Sequence, residues 1–173
     1  MIKIPEKEGR LSAAKAAHIE AVIAFVKRKT EGYRRDLFAN ISRVMLVSGT
    51  FEDMSARDDW SWLSDFILAD VKTLKQMIGR PELLQFDAFK RMYSDYFSAG
   101  SDKYVDAPTK YNAYMFIENL GVTICPYCDE EYLDVVENGN GGKLRTLEID
   151  HFFPKGKYPA LAMCFYNLVP SGQ

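Results

Sequence analysis

Three short motifs toward the carboxyl end of the chain carry side chains that can hold metal ions and transfer protons. They are Cys125-Pro126-Tyr127-Cys128, Glu148-Ile149-Asp150-His151 and Asn167-Leu168-Val169-Pro170. An adjacent carboxylate and imidazole, such as Asp150 and His151, can together bind a metal ion and activate a water molecule. The combination therefore indicates a centre for metal-assisted hydrolysis.

The alternation of side chains around Asp150 favours a strand that ends at this chemistry. If Ile149 faces a core, Glu148 and Asp150 share the opposite face, and the carboxylate of Asp150 meets solvent. Mg²⁺ and Mn²⁺ are hard cations that accept few carboxylates together with waters or phosphate oxygens, so Asp150 is a candidate ligand. His151, a residue type with an ordinary pKa of about 6.5, is the candidate general base. The alternative is a surface Asp-His pair without a role.

The Cys-x-x-Cys pair, Cys125 and Cys128, has the spacing of two corners of a tetrahedral zinc site on a tight turn. A closed structural Zn²⁺ site needs two further ligands, and Cys164 is the remaining thiol of the chain. The apolar neighbours Met163 and Phe165 instead favour a small buried hydrophobe for Cys164. Zinc binding is our first hypothesis. An unmetallated pair and a redox pair stay open, the redox pair weakened because no β-α-β pattern surrounds the motif.

Lys155 and Lys157 follow His151 in a loop that also carries aromatic residues. Ammonium groups in such a place can hold a substrate phosphate. A solvated turn is an equally good interpretation of the same residues. Both lysines are therefore candidate phosphate ligands.

The elements that must position these groups begin with a long helical segment. From Leu11 to Asn119, apolar residues recur at helical spacing and predict five helices. Ser12 is the expected cap of the first helix, and Gly49 and Gly121 are the expected stops of the second and fifth. The third helix is expected to run from near Ser55 to Gly79, and Pro81 suits the first turn of the fourth.

Aromatic residues are frequent in the fourth and fifth helices, where base stacking and core packing are the two interpretations. Helical spacing favours the core for Tyr93, Tyr96, Phe97, Tyr104, Tyr111, Tyr114 and Phe116. His18, in the first helix, lacks a carboxylate or cysteine at a ligand-like spacing. It is interpreted as a partly exposed or hydrogen-bonded histidine rather than a catalyst.

After Gly121 the pattern changes to short alternating or β-branched runs. Residues 132–136 and 143–149 flank a loop rich in Asn-Gly steps, which predicts a hairpin. The expected fold is α+β and predominantly α, with a helical domain in residues 1–120 and a small mixed module in residues 121–173.

Composition limits the classes of protein to which the chain can belong. With 173 residues and 47% hydrophobic content, it can bury one substantial core. No apolar run approaches the roughly 20 residues of a membrane span, and no signal peptide is recognised, so we expect no membrane partner and a cytoplasmic location. The formal net charge of −2 gives the protein no overall positive potential. Binding to nucleic acid would therefore require a local basic surface.

Taken in order, Cys-Pro-Tyr-Cys, Glu-Ile-Asp-His-Phe-Phe-Pro-Lys and Tyr-Asn-Leu-Val-Pro-Ser resemble the HNH endonucleases of the ββα-metal group. The resemblance implies a zinc knuckle, a strand that ends in Asp-His, a loop, a second strand bearing an Asn, and a final helix. By position, it implies that Asp150 binds the catalytic Mg²⁺ or Mn²⁺ and that His151 is the general base. It also implies that Asn167 braces the loop carrying His151, and Glu148 matches a recurrent acidic position.

The resemblance does not extend through the whole motif. Family members commonly continue into a second Cys-x-x-Cys and a helix that completes the metal site, whereas Gly172 stands about where the first of those cysteines is expected. We therefore expect an incomplete HNH-like module in residues 121–173, without its final helix. Activity of the chain as it stands is expected to be weak or absent.

The resemblance implies an HNH endonuclease that hydrolyses phosphodiester bonds in DNA. Helical regions joined to such modules in bacterial defence proteins extend this, by analogy, to defence against foreign DNA. The alternative is a catalytically silent zinc-knuckle module that binds a protein. A third hypothesis gives the helical region a partner such as an ATPase subunit, although no sequence feature identifies a surface for it.

Overall fold

The computed structural model describes residues 9–49, 59–98, 111–129, 133, 135–137, 143–145 and 147–172. The helices are α1 (Arg10–Lys27), α2 (Glu31–Val47), α3 (Ser61–Ile67), α4 (Val71–Met77), α5 (Ala88–Met92) and α6 (Ala113–Leu120). A π-helical segment continues α5 over Tyr93–Phe97, and 3₁₀ turns occupy Pro81–Leu84, Pro159–Leu161 and Phe165–Asn167. The strands are β1 (Val135–Glu137), β2 (Lys143–Arg145), β3 (Leu147–His151) and β4 (Leu168–Gly172). The fold is α+β and predominantly helical, as the sequence predicts.

Side-chain caps and left-handed glycines define several helix ends. Thr30 caps α2 by accepting the N–H of Tyr33 at 3.2 Å, and Asn112 caps α6. Gly49 and Gly121 follow α2 and α6 with φ of 70° and 63°, a conformation that favours glycine. Both predicted stops are therefore confirmed.

Three predictions about the helices are wrong. Pro81 begins a separate 3₁₀ turn, and the predicted fourth helix starts only at Ala88, as α5. Ser12 does not cap α1, which begins at Arg10 with Gly9 before it. The predicted third helix is divided into α3 and α4, because the carboxylate of Asp70 accepts the N–H of Thr73 at 2.8 Å and starts a new helix there. The expected start of the third helix near Ser55 lies outside the described residues.

The strands form two antiparallel pairs. β1 pairs with β2, so the predicted hairpin is present, with Val136 opposite Leu144. The predicted strand over residues 143–149 is nevertheless divided, since β3 pairs with β4 instead. Ile149 is buried in this pair of strands. Burial of apolar side chains favours the pairing of β3 with β4, although a loop separates the two strands along the chain. Asp150 lies opposite Val169 in this register.

One hydrophobic cluster runs through both the helical segment and the residues that follow it. Phe66 of α3, Phe116 of α6 and Leu168 of β4 belong to it, and all three are buried. Helix α5 packs against the 3₁₀ turn Pro159–Leu161, and α1 packs against α6. The helices therefore form the support on which β3 and its loop rest. Among the described helices, none has the length and apolar character needed to cross a membrane.

Candidate active site

The end of β3 presents alternating side chains to solvent and to the interior. Glu148 and Asp150 are exposed, whereas Ile149 and His151 are each 7% exposed. This is the alternation that a strand imposes when one face is covered. Asp150 and His151 are thus adjacent in sequence but differ in their access to water.

The imidazole of His151 is held in one tautomer. Its Nε2 lies 3.1 Å from the carbonyl oxygen of Ala162, and a carbonyl only accepts, so Nε2 carries the proton. No hydrogen bond from the described residues reaches Nδ1. Burial, opposed by the Ala162 bond and aided by the charge of Lys155, lowers the pKa of His151 to about 4. His151 is therefore neutral at pH 7, with the lone pair of Nδ1 available to accept a proton.

Tyr93, at the start of the π-helical segment, packs directly on this imidazole. The two rings meet edge to face with centroids 4.5 Å apart, and the Tyr93 hydroxyl donates to the carbonyl of Ile149 at 3.1 Å. The ammonium of Lys155 lies 4.6 Å from the centre of the Tyr93 ring. The predicted core position of Tyr93 is confirmed, since it is 6% exposed. Its contact with His151 had no local signal in the sequence, because the two residues lie far apart along the chain.

Both oxygens of the Asp150 carboxylate accept hydrogen bonds. Oδ1 accepts the backbone N–H of His151 at 2.7 Å, and Oδ2 accepts the hydroxyl of Tyr127 at 3.0 Å. Burial and the neighbouring carboxylate raise the pKa of Tyr127 to about 12, so its hydroxyl remains a donor. Each carboxylate oxygen keeps a second lone pair, and the side chain is exposed, which suits a hard cation that retains water ligands. Tyr127 lies inside the Cys-x-x-Cys motif and thus links that motif to Asp150.

Asn167 is fully buried and makes three hydrogen bonds across the loop that follows β3. Its Oδ1 accepts the N–H of Phe153 at 2.6 Å, and its Nδ2 donates to the carbonyls of Phe153 at 3.1 Å and Leu161 at 3.0 Å. The Leu161 carbonyl directly precedes Ala162, whose own carbonyl accepts from His151. Asn167 therefore joins the beginning of the loop to the segment that orients the imidazole.

The cysteine pair lies on a turn beside the end of β4. Cys125 is buried and Cys128 is exposed. The backbone N–H of Gly172, together with those of Tyr127 and Cys128, donates to the Cys125 sulfur and lowers the pKa of its thiol. Stabilised thiolate is the form that binds Zn²⁺, so the pair fits two corners of a tetrahedral site. Within the described residues, no group of three or more His, Cys, Asp or Glu side chains is placed to hold one metal ion.

The other residues singled out in the sequence divide into three environments. Lys157 is exposed, and its ammonium lies over the ring of Tyr158 at 5.4 Å, away from the Lys155 contact with Tyr93. Cys164 is fully buried, as predicted, and burial raises the pKa of its thiol. His18 is hydrogen-bonded, as predicted, and is fully buried rather than partly exposed.

The end of β3 and the loop behind it thus bring together a neutral imidazole, an exposed carboxylate and a half-buried ammonium. Tyr93 from the helical segment and Tyr127 from the cysteine turn hold these groups from two sides. Comparison of the chain with protein-family models, curated proteins and solved structures found no match.

Proposed function

We propose that the chain carries the nucleolytic module of a metal-dependent HNH-type endonuclease that hydrolyses phosphodiester bonds in DNA. The observation that carries the proposal is the hydrogen bonding of His151: its Nε2–H donates to Ala162, while none of the described residues donates to Nδ1. A general base must be unprotonated at the working pH and oriented toward the reacting water. The exposed carboxylate of Asp150 beside it is the natural place for a divalent cation.

His151 would remove the proton from the attacking water. Its low pKa keeps it neutral in the resting protein. A bound phosphodiester is negatively charged, and its approach would raise the affinity of the imidazole for a proton as the reaction proceeds. The Nε2–H bond to Ala162 would stabilise the imidazolium, and the Tyr93 ring would keep it from rotating.

Asp150 would hold the Mg²⁺ or Mn²⁺ ion. Such a cation supplies positive charge that polarises the phosphate and stabilises the leaving oxygen. The hydrogen bonds from Tyr127 and from the backbone of His151 keep the carboxylate in one orientation. Asp150 is thereby preorganised to bind the ion.

Lys155 would bind a phosphate oxygen near the base. Its side chain is half-buried, and its ammonium rests against Tyr93 within the electrostatic reach of His151. A cation in that position attracts the substrate backbone and carries no sequence preference. Lys157, over Tyr158, is a weaker candidate for the same role.

The test is cleavage of a supercoiled plasmid by the protein that the complete reading frame encodes, which we call the complete product. The reaction is run with Mn²⁺ or Mg²⁺, and with EDTA for comparison. His151→Ala should lower the rate by about 10²- to 10⁴-fold, the usual contribution of a general base. Asp150→Asn should raise the Mn²⁺ concentration that is required for cleavage. Asp95→Asn, which removes an exposed carboxylate elsewhere, should leave both quantities unchanged. Cleavage by His151→Ala at the wild-type rate would falsify the assignment of the base.

A second candidate function is a zinc-knuckle module that binds a protein without catalysis. It is favoured by the backbone N–H groups gathered around the Cys125 sulfur, which stabilise a thiolate independently of any reaction at His151. Zinc bound in proportion to protein, together with no metal-dependent cleavage by the complete product, would support this alternative. Loss of zinc in Cys125→Ser would identify the site.

A further inference from the structure

The connection between α1 and α2 is strongly basic in a chain that is acidic overall. Residues 9–49 contain eight Lys and Arg against three Asp and Glu, a net charge of +5, whereas the whole chain has a net charge of −2. Five of these basic residues and one acidic residue, Glu31, fall within residues 27–35, which we call the basic turn. Local positive charge of this kind attracts polyanions even when the protein is acidic as a whole.

Most of the basic turn is available to a partner. Lys27, Arg28 and Arg35 are exposed, and Lys29 and Arg34 are half-buried. Arg35 lies 4.0 Å from Asp36, while no ion pair with the described residues engages the other four. Their charges are therefore not neutralised within this part of the protein.

Helix electrostatics account for only some of these charges. Lys27 ends α1, where the helix dipole favours cations. Arg34 instead lies at the end of the first turn of α2, where the same dipole disfavours a cation, and Arg35 lies beyond that turn. The helix dipoles therefore do not account for the positive charges of Arg34 and Arg35.

Partly exposed aromatic rings surround the turn. The Lys29 ammonium lies 4.4 Å from the centre of Phe25, 5.6 Å from Tyr33 and 5.9 Å from Tyr96. The Lys27 ammonium lies 5.7 Å from the centre of Trp60. These cation–π contacts hold the ammonium groups of Lys27 and Lys29 at the surface of the turn.

The π-helical segment joins the basic turn to the candidate active site. Tyr93 contacts His151, and Tyr96, three residues later, packs on Phe25 at 5.0 Å between ring centroids. Three residues of chain span at most about 11 Å between Cα atoms. Even with both tyrosines extended, this route is shorter than one turn of a DNA duplex, about 34 Å. The Tyr96 ring, and with it the Lys29 ammonium 5.9 Å away, therefore lies within one duplex turn of His151.

We propose that the basic turn binds the phosphate backbone of the nucleic acid presented to His151, with Lys27, Arg28, Arg34 and Arg35 as the phosphate contacts. The choice of nucleic acid as the polyanion rests on the proposed function. The surface belongs to α1 and α2, outside the residues that resemble the HNH module. The helical segment thus contributes to substrate binding as well as to the support of β3.

The experiment measures binding without cleavage. The probe is a fluorescein-labelled DNA duplex of about two helical turns, followed by anisotropy across a salt series in EDTA with the His151→Ala protein. Lys27→Gln with Arg28→Gln should reduce the slope of log affinity against log salt by about 2 and weaken binding at least about tenfold at ~0.1 M salt. Lys72→Gln with Lys75→Gln, the same charge change on exposed positions of α4, is the matched control and should change binding less than about twofold.

Each outcome bears on the surface separately from the enzyme. Equal weakening by the two double variants, or no binding of the duplex by the parent protein, would overturn the basic turn as a nucleic-acid surface. Selective weakening by Lys27→Gln with Arg28→Gln supports it, even if the complete product never cleaves with Mn²⁺. In that last case the endonuclease proposal fails while the binding surface stands. Lys27, Arg28, Lys72 and Lys75 are exposed, so thermal melting unchanged from that of the His151→Ala parent verifies that the double variants are folded.

Discussion

The two histidines of this chain have nearly the same hydrogen bond and very different surroundings. Nε2 of His18 donates to the carbonyl of Met163 at 2.8 Å, and Nε2 of His151 donates to that of the preceding residue, Ala162, at 3.1 Å. Burial lowers the pKa of both to about 4. Nδ1 of His18 accepts the hydroxyl of Tyr111 at 3.1 Å, whereas Nδ1 of His151 has no such partner among the described residues.

The surroundings explain why one imidazole is structural and the other is available for chemistry. His18 is fully buried and packs edge to face on the rings of Phe97, Tyr111, Phe116 and Phe165. His151 packs on Tyr93 and is next to an exposed carboxylate. With both nitrogens used and apolar rings on its sides, His18 stabilises the packing of α1. With Nδ1 unbonded among the described residues and an exposed carboxylate next to it in the chain, His151 can exchange a proton.

Replacement of each histidine by alanine should separate the two roles most strongly. His18→Ala leaves a cavity and a buried carbonyl at Met163 without its donor, and should lower the free energy of unfolding by about 4 kcal/mol. His151→Ala should lower it by about 1–2 kcal/mol while removing the cleavage expected of the complete product. Urea denaturation followed by circular dichroism measures both values. Equal destabilisation by the two substitutions would contradict the contrast.

Acid should destabilise the protein through His18 in a defined range of pH. Its pKa is 6.5 in the ordinary state and about 4 in the fold, so the unfolded chain takes up the proton first. The free energy of unfolding should be unaffected above pH 6.5, fall as the pH drops toward 4, and level off below that. The His18 contribution is about 3 kcal/mol in total. The pKa of His151 is lowered to the same value, so His18→Gln and His151→Gln should each remove a part of the pH dependence in urea titrations. An identical pH profile for His18→Gln and the wild type would show that His18 is not the group responsible.

Removal of the Tyr111 hydroxyl should make His18 resemble His151 in its hydrogen bonding. Tyr111→Phe keeps the ring and leaves Nδ1 of His18 without its donor, which should reduce the free energy of unfolding by about 1–2 kcal/mol. Tyr166→Phe is the control, because no hydrogen bond of its hydroxyl joins it to the described residues. Thermal melting of both variants measures the difference. Comparable loss in the control would indicate that the Tyr111 hydroxyl has no special part in holding His18.

Local patterns in the sequence were sufficient for features that depend on neighbouring residues. The helical segment, the stops at Gly49 and Gly121 and the alternation of exposure at the end of β3 follow from periodicity and backbone preference. The division of the third helix at Asp70 was missed because its side chain competes with the apolar pattern that continues through it. The separation of β3 from the hairpin was missed because β4, its partner, lies beyond an intervening loop.

The sequence by itself placed Asp150 beside His151 and predicted a strand that exposes the carboxylate, because adjacency and alternation are local properties. Tertiary structure alone decided which nitrogen of each histidine is protonated, since the carbonyl of Met163 lies 145 residues from His18 and that of Ala162 lies across the loop that follows β3. It also decided that Tyr93 packs on the imidazole and that Tyr127 holds the carboxylate. These contacts join segments far apart along the chain, and only the packing of a shared core fixes distances between such segments.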